Sequence, residues 1–192
     1  MIPSGPDAAA PPLTESAVLV AVPEAEDAVG RFRARLDRSA AWGVPPHVTV
    51  LYPFVGPDRL APPVLDRLAA AISEVPAFGV TLARLSWSGD DDVLWLVPEP
   101  DDPFRALTAA VWREFPDHPP YGGIHPDPTP HLTIGHDAPI DVLREAAEAI
   151  RPLLPIRARV TTAHLMRGSP AAGAWHTVAA LPLAATDATR TA

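Results

Sequence analysis

Residues 45–54 (PPHVTVLYPF) and residues 129–136 (TPHLTIGH) share one pattern, in which a proline and a histidine precede an apolar residue, a threonine and a second apolar residue. Both stretches are rich in β-branched and apolar residues and are bounded by proline or glycine, which predicts a β-strand in each. One copy would carry little information. Two copies predict a repeated structural unit that presents His47 and His131 in equivalent places.

The segments around the two motifs follow the same order. The first half predicts a strand at 16–22, a helix at 24–38, the motif strand at 47–54, a helix at 58–75 and a strand at 78–87. The second half predicts a strand at 93–97, a helix at 102–115, the motif strand at 131–135, a helix at 139–151 and strands near 156–166 and 174–183. We therefore expect an α+β fold, a bilobal pseudo-two-fold repeat of strand-helix-strand-helix-strand units with a central cleft between two mixed or antiparallel sheets.

These patterns predict a single bilobal domain over residues 16–184, with halves at about 16–89 and 92–184. The Pro- and Ala-rich residues 1–15 and the last residues, 185–192, are predicted to be flexible tails.

Composition limits the kinds of partner. The net charge of −8 argues against extended binding to a nucleic-acid backbone, which needs many basic contacts, but it permits a small phosphorylated substrate in a local pocket. The absence of cysteine excludes disulfides and thiolate metal sites. No segment has the pattern of a secretory signal or an apolar run long enough to span a bilayer. We expect a cytoplasmic monomer that does not bind membranes.

The motifs predict a specific kind of chemistry. Alternation along a strand puts His47 and Thr49 on one face, and His131 and Thr133 likewise. If the two units face each other, two imidazoles and two hydroxyls surround one cleft. One neutral histidine would remove a proton from an attacking water or hydroxyl, and the other, protonated, would supply a proton to the departing oxygen of a phosphodiester. The threonine hydroxyls would donate hydrogen bonds to the non-bridging phosphate oxygens.

PPHVTVLYPF and PHLTIGH resemble the paired signatures of the two-histidine phosphoesterase superfamily, also called the 2′-5′ RNA ligase-like family, and the likeness covers about residues 16–183. The resemblance implies hydrolysis or reversible formation of phosphodiesters at RNA ends, often 2′,3′-cyclic phosphates, with no required metal. It implies acid and base roles for His47 and His131, in an order left open, and phosphate binding by Thr49 and Thr133. We expect no cofactor, and a small nucleotide or RNA terminus as the substrate.

Two further residues are candidate substrate contacts. Tyr121 lies in a long Gly- and Pro-rich loop before the second motif and is a candidate to contact a base or ribose. Arg167, at the end of the predicted strand 156–166, is the arginine best suited as a phosphate partner, because a guanidinium matches phosphate oxygens in pairs. Strand alternation places Tyr52 and Phe54 on the core side, away from His47.

A metal site is an alternative for residues 117–136. This segment contains side chains of the kind that metals take as ligands, namely Asp117, His118, His125, Asp127, His131 and His136. Their spacing matches no recognised zinc pattern, and we expect no metal.

Two other classes of function stay open. A catalytically inactive protein of the same fold would bind a nucleotide or an RNA end through the same pocket. A scaffold for protein interactions would leave the double motif unexplained. Turnover of a phosphodiester separates an enzyme from both.

Overall fold

The computed structural model describes residues 12–88, 92–124 and 128–185. The outer parts of both predicted tails, and the candidate ligands His125 and Asp127, lie outside the described residues. The strands are Glu15–Ala21 (β1), His47–Leu51 (β2), Phe78–Ser88 (β3), Val93–Glu99 (β4), Leu132–His136 (β5), Ile156–Val160 (β6), Thr162–Gly168 (β7) and His176–Pro182 (β8). The α-helices are Glu26–Leu36 (α1), Arg38–Ala41 (α2), Pro62–Ile72 (α3), Asp102–Glu114 (α4) and Ile140–Ile150 (α5).

The strands form two four-stranded sheets, in the orders β2-β1-β7-β8 and β5-β4-β3-β6. Every neighbouring pair is antiparallel. The predicted α+β class with two sheets is confirmed. Both motif strands, β2 and β5, lie at the edge of their sheets, and they contact each other across the gap between the sheets.

The single strand predicted at 156–166 is wrong, because the chain forms β6 and β7 in two different sheets. Val160 and Ala163 are both buried although they are three positions apart, so the alternation of a continuous strand breaks between them. β3 likewise pairs with β4 and β6, and β7 pairs with β1. Each sheet therefore contains strands from both halves of the sequence.

Two helices likewise pack against strands of the other half of the sequence. α1, which precedes β2 in the sequence, packs on β5 and α5, whereas α4, which precedes β5, packs on β2 and α3. Their apolar sides form one continuous core with the inner faces of both sheets, including Leu68, Leu107 and Leu143, each with no exposed surface. The opposite faces of the sheets are left to line a cleft. None of the helices in the described part of the chain is long and apolar enough to cross a membrane.

A buried ion pair sits at the junction between the two halves. The Arg33 guanidinium of α1 donates to the Asp37 carboxylate, with Nη2 2.8 Å and Nε 3.1 Å from Oδ2, and both side chains are almost fully buried. Arg33 also donates to the carbonyl of Val44, just before the first motif. On the other side, His136 of β5 places Nε2 3.7 Å from Oδ1 of Asp37. These contacts tie α1, the approach to His47 and the second motif strand to one another.

Asp37 stays ionised despite its burial. Burial alone would raise its pKa, but contact with His136, the positive charge of Arg33 and hydrogen bonds from Ser39 outweigh burial and hold the pKa well below its usual range. The same contact with Asp37 raises the pKa of His136. Breaking a buried pair by removing one charge leaves the other charge uncompensated, so the pair is a sensitive point of the fold.

We expect Asp37→Asn to lower the free energy of unfolding by about 3 kcal/mol, because it leaves the buried Arg33 guanidinium without its counter-charge. Asparagine can still accept the hydrogen bond from the Ser39 backbone N–H at the start of α2, so the substitution keeps this cap while it removes the charge and the bonds from Arg33. Urea unfolding measures the change. The control is Glu148→Gln, which removes one partner of the exposed Arg151–Glu148 pair and should cost less than about 1 kcal/mol. Equal losses in the two variants would contradict a structural role for the buried pair.

Candidate active site

The two motifs line one cleft where the edge strands meet. In the first sheet Thr49 pairs with Leu19 and His47 with Ala21, so these four residues share a face. In the second sheet Thr133 pairs with Trp95. All four motif side chains are partly exposed, whereas Val48, Val50, Leu132 and Ile134 between them are buried in the core. The structure thus places His47 and Thr49 on β2, and His131 and Thr133 at the start of β5, and these two strands contact each other.

The two histidines are held in the same way. Nδ1 of His47 lies 2.8 Å from the carbonyl oxygen of Pro45, and Nδ1 of His131 lies 2.8 Å from that of Thr129. A carbonyl oxygen only accepts, so Nδ1 carries the hydrogen in both rings. In the neutral imidazole this leaves the lone pair on Nε2, which is the atom available to take up or hand over a proton. Each carbonyl belongs to the residue two positions earlier, so the orientation of the ring is set locally.

Burial lowers the pKa of both histidines from the ordinary value of 6.5. The pKa of His47 falls to about 4, first through burial and then through the nearby positive charge of Arg33, and the charge of His131 contributes in the same direction. The pKa of His131 falls through burial, partly offset by its hydrogen bond to Thr129. In the free protein both imidazoles are therefore neutral at neutral pH. An anionic group between them would favour protonation of either ring.

Tyr121 lies beside the first motif rather than the second. The turn at Pro120–Gly123 packs against the end of β2, where the Tyr121 backbone N–H donates to the carbonyl of Tyr52 at 2.6 Å. Tyr121 adopts a left-handed backbone conformation (φ 52°), and its hydroxyl is hydrogen-bonded to the side chain of Thr49. Burial raises the pKa of this phenol. The turn at Pro120–Gly123 thus lies against Thr49, a candidate phosphate-binding residue.

Arg167 is not brought to the motifs. It pairs with Ser16 on β1, which is on the face opposite that of Leu19 and Thr49. Its guanidinium Nε instead donates to Nε2 of His176 at 3.1 Å, at the outer end of β7 and β8. The sequence-based expectation that Arg167 contacts a phosphate is therefore not supported by its position. The sequence alone could not have assigned Arg167 to a face of its strand, because neither the first residue of the strand nor its sheet was known.

Tyr52 was predicted on the core side, and that prediction is wrong. A bulge between β1 and β2 makes Val50 and Leu51 both face the core, which turns the following Tyr52 to the side of His47 and Thr49. Phe54 is buried in the core as predicted, with its ring against that of Phe115.

Trp95 is a neighbour of the site that the sequence did not single out. Its ring lies edge-on to His131, with ring centroids 5.4 Å apart, and its buried indole N–H has no partner among the described residues. The alternating pattern of β4 predicts only that Trp95 faces away from Leu94 and Leu96. Its approach to His131 comes from the pairing of β4 with β5.

The candidate metal ligands are spread apart. His118 lies near Phe54 and Arg59, His131 lies against Trp95, and His136 contacts Asp37 and Asp137. Within residues 12–88, 92–124 and 128–185, no three side chains of histidine, aspartate or glutamate are grouped so that they could hold a metal ion. His125 and Asp127 lie outside these ranges.

Several solved structures share this fold. Escherichia coli LigT in complex with 3′-AMP matches with a TM-score of 0.56 and 17% identity, over 90% of this chain and 99% of that chain. TT0787 of Thermus thermophilus matches with a TM-score of 0.55 and 17% identity, over 88% of this chain and 97% of that chain. At 17% identity, the similarity to these two structures shows a shared fold and no more.

Among curated proteins, a relative from Geobacillus kaustophilus carries the name "Putative phosphoesterase GK0864". It is 26% identical over 116 residues, which are 59% of this chain and 64% of the relative, so the match spans less than two thirds of the relative's length.

The family model of the 2′-5′ RNA ligase superfamily matches residues 21–170, a range that contains both motifs, both edge strands and the buried ion pair beneath them. The resemblance noted from the two motifs is thereby confirmed, and the chain belongs to the 2′-5′ RNA ligase superfamily.

Proposed function

We propose that the protein is a phosphodiesterase that needs no metal and cleaves a 2′,3′-cyclic phosphate, or a related phosphodiester, of an RNA end or small nucleotide. The observation that carries this proposal is the matched pair of histidines, each with Nδ1 tied to a local carbonyl and Nε2 left for proton transfer. LigT structures solved with 3′-AMP and with phosphate support a small phosphorylated ligand for this fold. The name of the Geobacillus relative agrees with a phosphoesterase activity.

In the proposed reaction the phosphate lies between the two motifs. One neutral imidazole takes a proton from water through Nε2 while the water oxygen forms a bond to phosphorus. The other imidazole, protonated in the complex, gives its Nε2 proton to the ribose oxygen as the bond between that oxygen and phosphorus breaks. The product is a phosphomonoester with one free hydroxyl, and the two histidines have exchanged protonation states. Which histidine takes which role stays open.

The two threonines and the negative charge of the phosphate would assist the reaction in different ways. Thr49 and Thr133 would donate hydrogen bonds to the non-bridging oxygens, whose charge changes in the transition state. The anionic phosphate itself would raise the depressed pKa of the histidine that must hold a proton, so binding prepares the acid. A non-catalytic binding module would use the same contacts without forming product.

We expect His47→Ala and His131→Ala each to lower kcat at least about 10²-fold, because general acid–base catalysis contributes about 10²- to 10⁴-fold. The assay is hydrolysis of nucleoside 2′,3′-cyclic phosphates, and of a short RNA ending in one, in excess chelator. The control is His176→Ala, an exposed histidine at the outer end of the sheet. Retention of the wild-type rate by both motif variants would refute the assignment. Saturable binding of the substrate without any product would identify a binding module.

We expect kcat/KM to follow a bell-shaped pH profile with its maximum below pH 6.5, the ordinary pKa of histidine, because burial lowers the pKa of both histidines in the free protein. One histidine must be neutral and the other protonated, so the competent form is most abundant between the two apparent pKa values, which belong to the pair. Activity should fall about tenfold per pH unit above the higher value. An optimum well above pH 7 would contradict this electrostatic account.

We expect Thr49→Val and Thr133→Val to lower kcat by about 10- to 1000-fold with a smaller change in KM, because each removes one hydrogen-bond donor to the charge of the transition state. Valine keeps the shape and the strand preference of threonine. Thr177→Val, an exposed position on β8, is the control. Unchanged kcat in both motif variants would show that the hydroxyls do not contact the reacting phosphate.

A further inference from the structure

The end of the second motif strand lies against the end of α1. Residues 135–137 contact residues 36–38 in matching order, and we call these six residues the clasp. The first contact is the closest, because a Cβ atom added to Gly135 would lie 2.6 Å from the Cβ atom of Leu36. A larger residue would not fit there unless the strand moved away from the helix. The strand therefore ends at a fixed, short distance from the helix that leads to the first motif.

The other two contacts of the clasp are ion pairs of opposite polarity. In the inner pair, Nε2 of His136 lies 3.7 Å from Oδ1 of Asp37, and these side chains are only 26% and 3% exposed, so solvent screens their charges weakly. In the outer pair, the Arg38 guanidinium donates to the carboxylate of Asp137, and both side chains are exposed. Asp137 adopts a left-handed backbone conformation (φ 57°), which aspartate tolerates better than most residues. Its carboxylate also accepts from Nδ1 of His136 at 2.8 Å and so joins the two pairs.

His136 carries a positive charge in this arrangement. An ionised carboxylate only accepts hydrogen bonds, and each ring nitrogen of His136 faces a carboxylate oxygen. The contacts are satisfied when both nitrogens carry a hydrogen, which makes the ring an imidazolium. Contact with Asp37, and then with Asp137, accordingly raises the pKa of His136 above 6.5, although burial acts in the opposite direction. The motif histidines differ, because burial lowers their pKa values.

The charge on His136 depends on pH in a defined direction. Its carboxylate neighbours are Asp37 and Asp137, which also pair with Arg33 and Arg38 respectively. The residue opposite it on β4 is an uncharged valine. Because the pKa of His136 is higher in the folded than in the unfolded chain, the clasp stabilises the fold fully below pH 6.5. This contribution is lost as the pH rises through the raised value.

The clasp connects the two motif histidines, which no strand pairing joins. In residues 12–88, 92–124 and 128–185, β2 and β5 contact each other but belong to different sheets. His131 lies directly before β5, so the strand itself connects it to the clasp. His47 is connected through Arg33, which pairs with Asp37 and donates to the carbonyl of Val44. The distance between the two motifs therefore depends on the clasp.

We propose that His136 is a positioning residue, which as an imidazolium between Asp37 and Asp137 holds the second motif at the distance from the first at which both can act on one phosphate. The inference rests on the proposed function for the reaction that is measured. His136 acts through β5 and does not touch the phosphate. A loosened clasp leaves each motif intact and changes the spacing between them.

We expect His136→Gln to lower kcat for a nucleoside 2′,3′-cyclic phosphate about 10- to 100-fold at pH 6, with a smaller change in KM, because a misplacement of about 1 Å can cost about 100-fold in rate. Glutamine keeps a hydrogen-bond donor but not the charge. The matched control is His176→Gln, which alters an exposed histidine on β8 and should leave kcat unchanged. Circular dichroism melting confirms that each variant is folded at the assay temperature. An unchanged kcat in His136→Gln would overturn the proposal.

A second measurement uses the wild-type protein and needs no turnover. Nitrogen-15 NMR of the histidine rings, assigned through their own backbones, follows the protonation of each ring with pH. We expect both nitrogens of His136 to stay protonated until the pH rises above 6.5, where His47 and His131 are already largely neutral. A titration midpoint of His136 at or below pH 6.5 would overturn its role as an imidazolium.

Titration with inorganic phosphate separates failure of the clasp from failure of the proposed reaction. In wild-type protein, phosphate should shift the ring signals of His47 and His131 together. In His136→Gln the two rings should no longer respond together, because one phosphate cannot reach both. This result would support the positioning role even if wild-type protein hydrolysed no cyclic phosphate, which would refute only the proposed function. A joint response of both rings in His136→Gln, as in wild-type protein, would overturn the positioning role and leave the phosphodiesterase standing.

Discussion

The buried pair of Arg33 and Asp37 connects the parts of the protein on which the cleft depends. Arg33 holds the carbonyl of Val44, one residue before the carbonyl that orients His47, and Asp37 contacts His136 at the end of the second motif strand. An ion pair in a low-dielectric interior is costly unless its hydrogen-bonding capacity is filled, and here backbone, hydroxyl and imidazole groups fill it. The same charges that fix the geometry also shift the pKa values of two histidines.

The exchange of strands between the two halves explains why the cleft lies where it does. β3 joins three strands of the second half, and β7 pairs with β1 of the first half, so the two halves of the chain cannot separate without breaking strand pairs. That exchange leaves β2 and β5 as edge strands facing each other. An edge strand has a free side, and in this protein the free sides meet and become the floor of the candidate site.

The two walls of the cleft differ in chemistry although the motifs repeat. The side near His47 is formed by two tryptophans, a tyrosine and aliphatic residues, and Tyr121 reaches Thr49 from the long loop. The side near His131 has Trp95 edge-on to the imidazole. The two motif histidines thus sit in unequal surroundings. In the proposed reaction, this asymmetry would let two histidines of the same type take opposite proton-transfer roles on one bound substrate.

The sequence by itself determined the family, through its two motifs, and the α+β class. It also determined that the histidine and threonine of each motif share a face, because strand alternation is local. Predictions from this alternation were wrong at Tyr52, where a bulge turns the chain, and at Thr161, where one predicted strand is in fact two. Only the tertiary structure decided that Arg167 faces away and that Tyr121, Trp42 and Trp175 surround the first motif. Strand order, bulges and loop closure depend on contacts between distant residues, which no local pattern encodes.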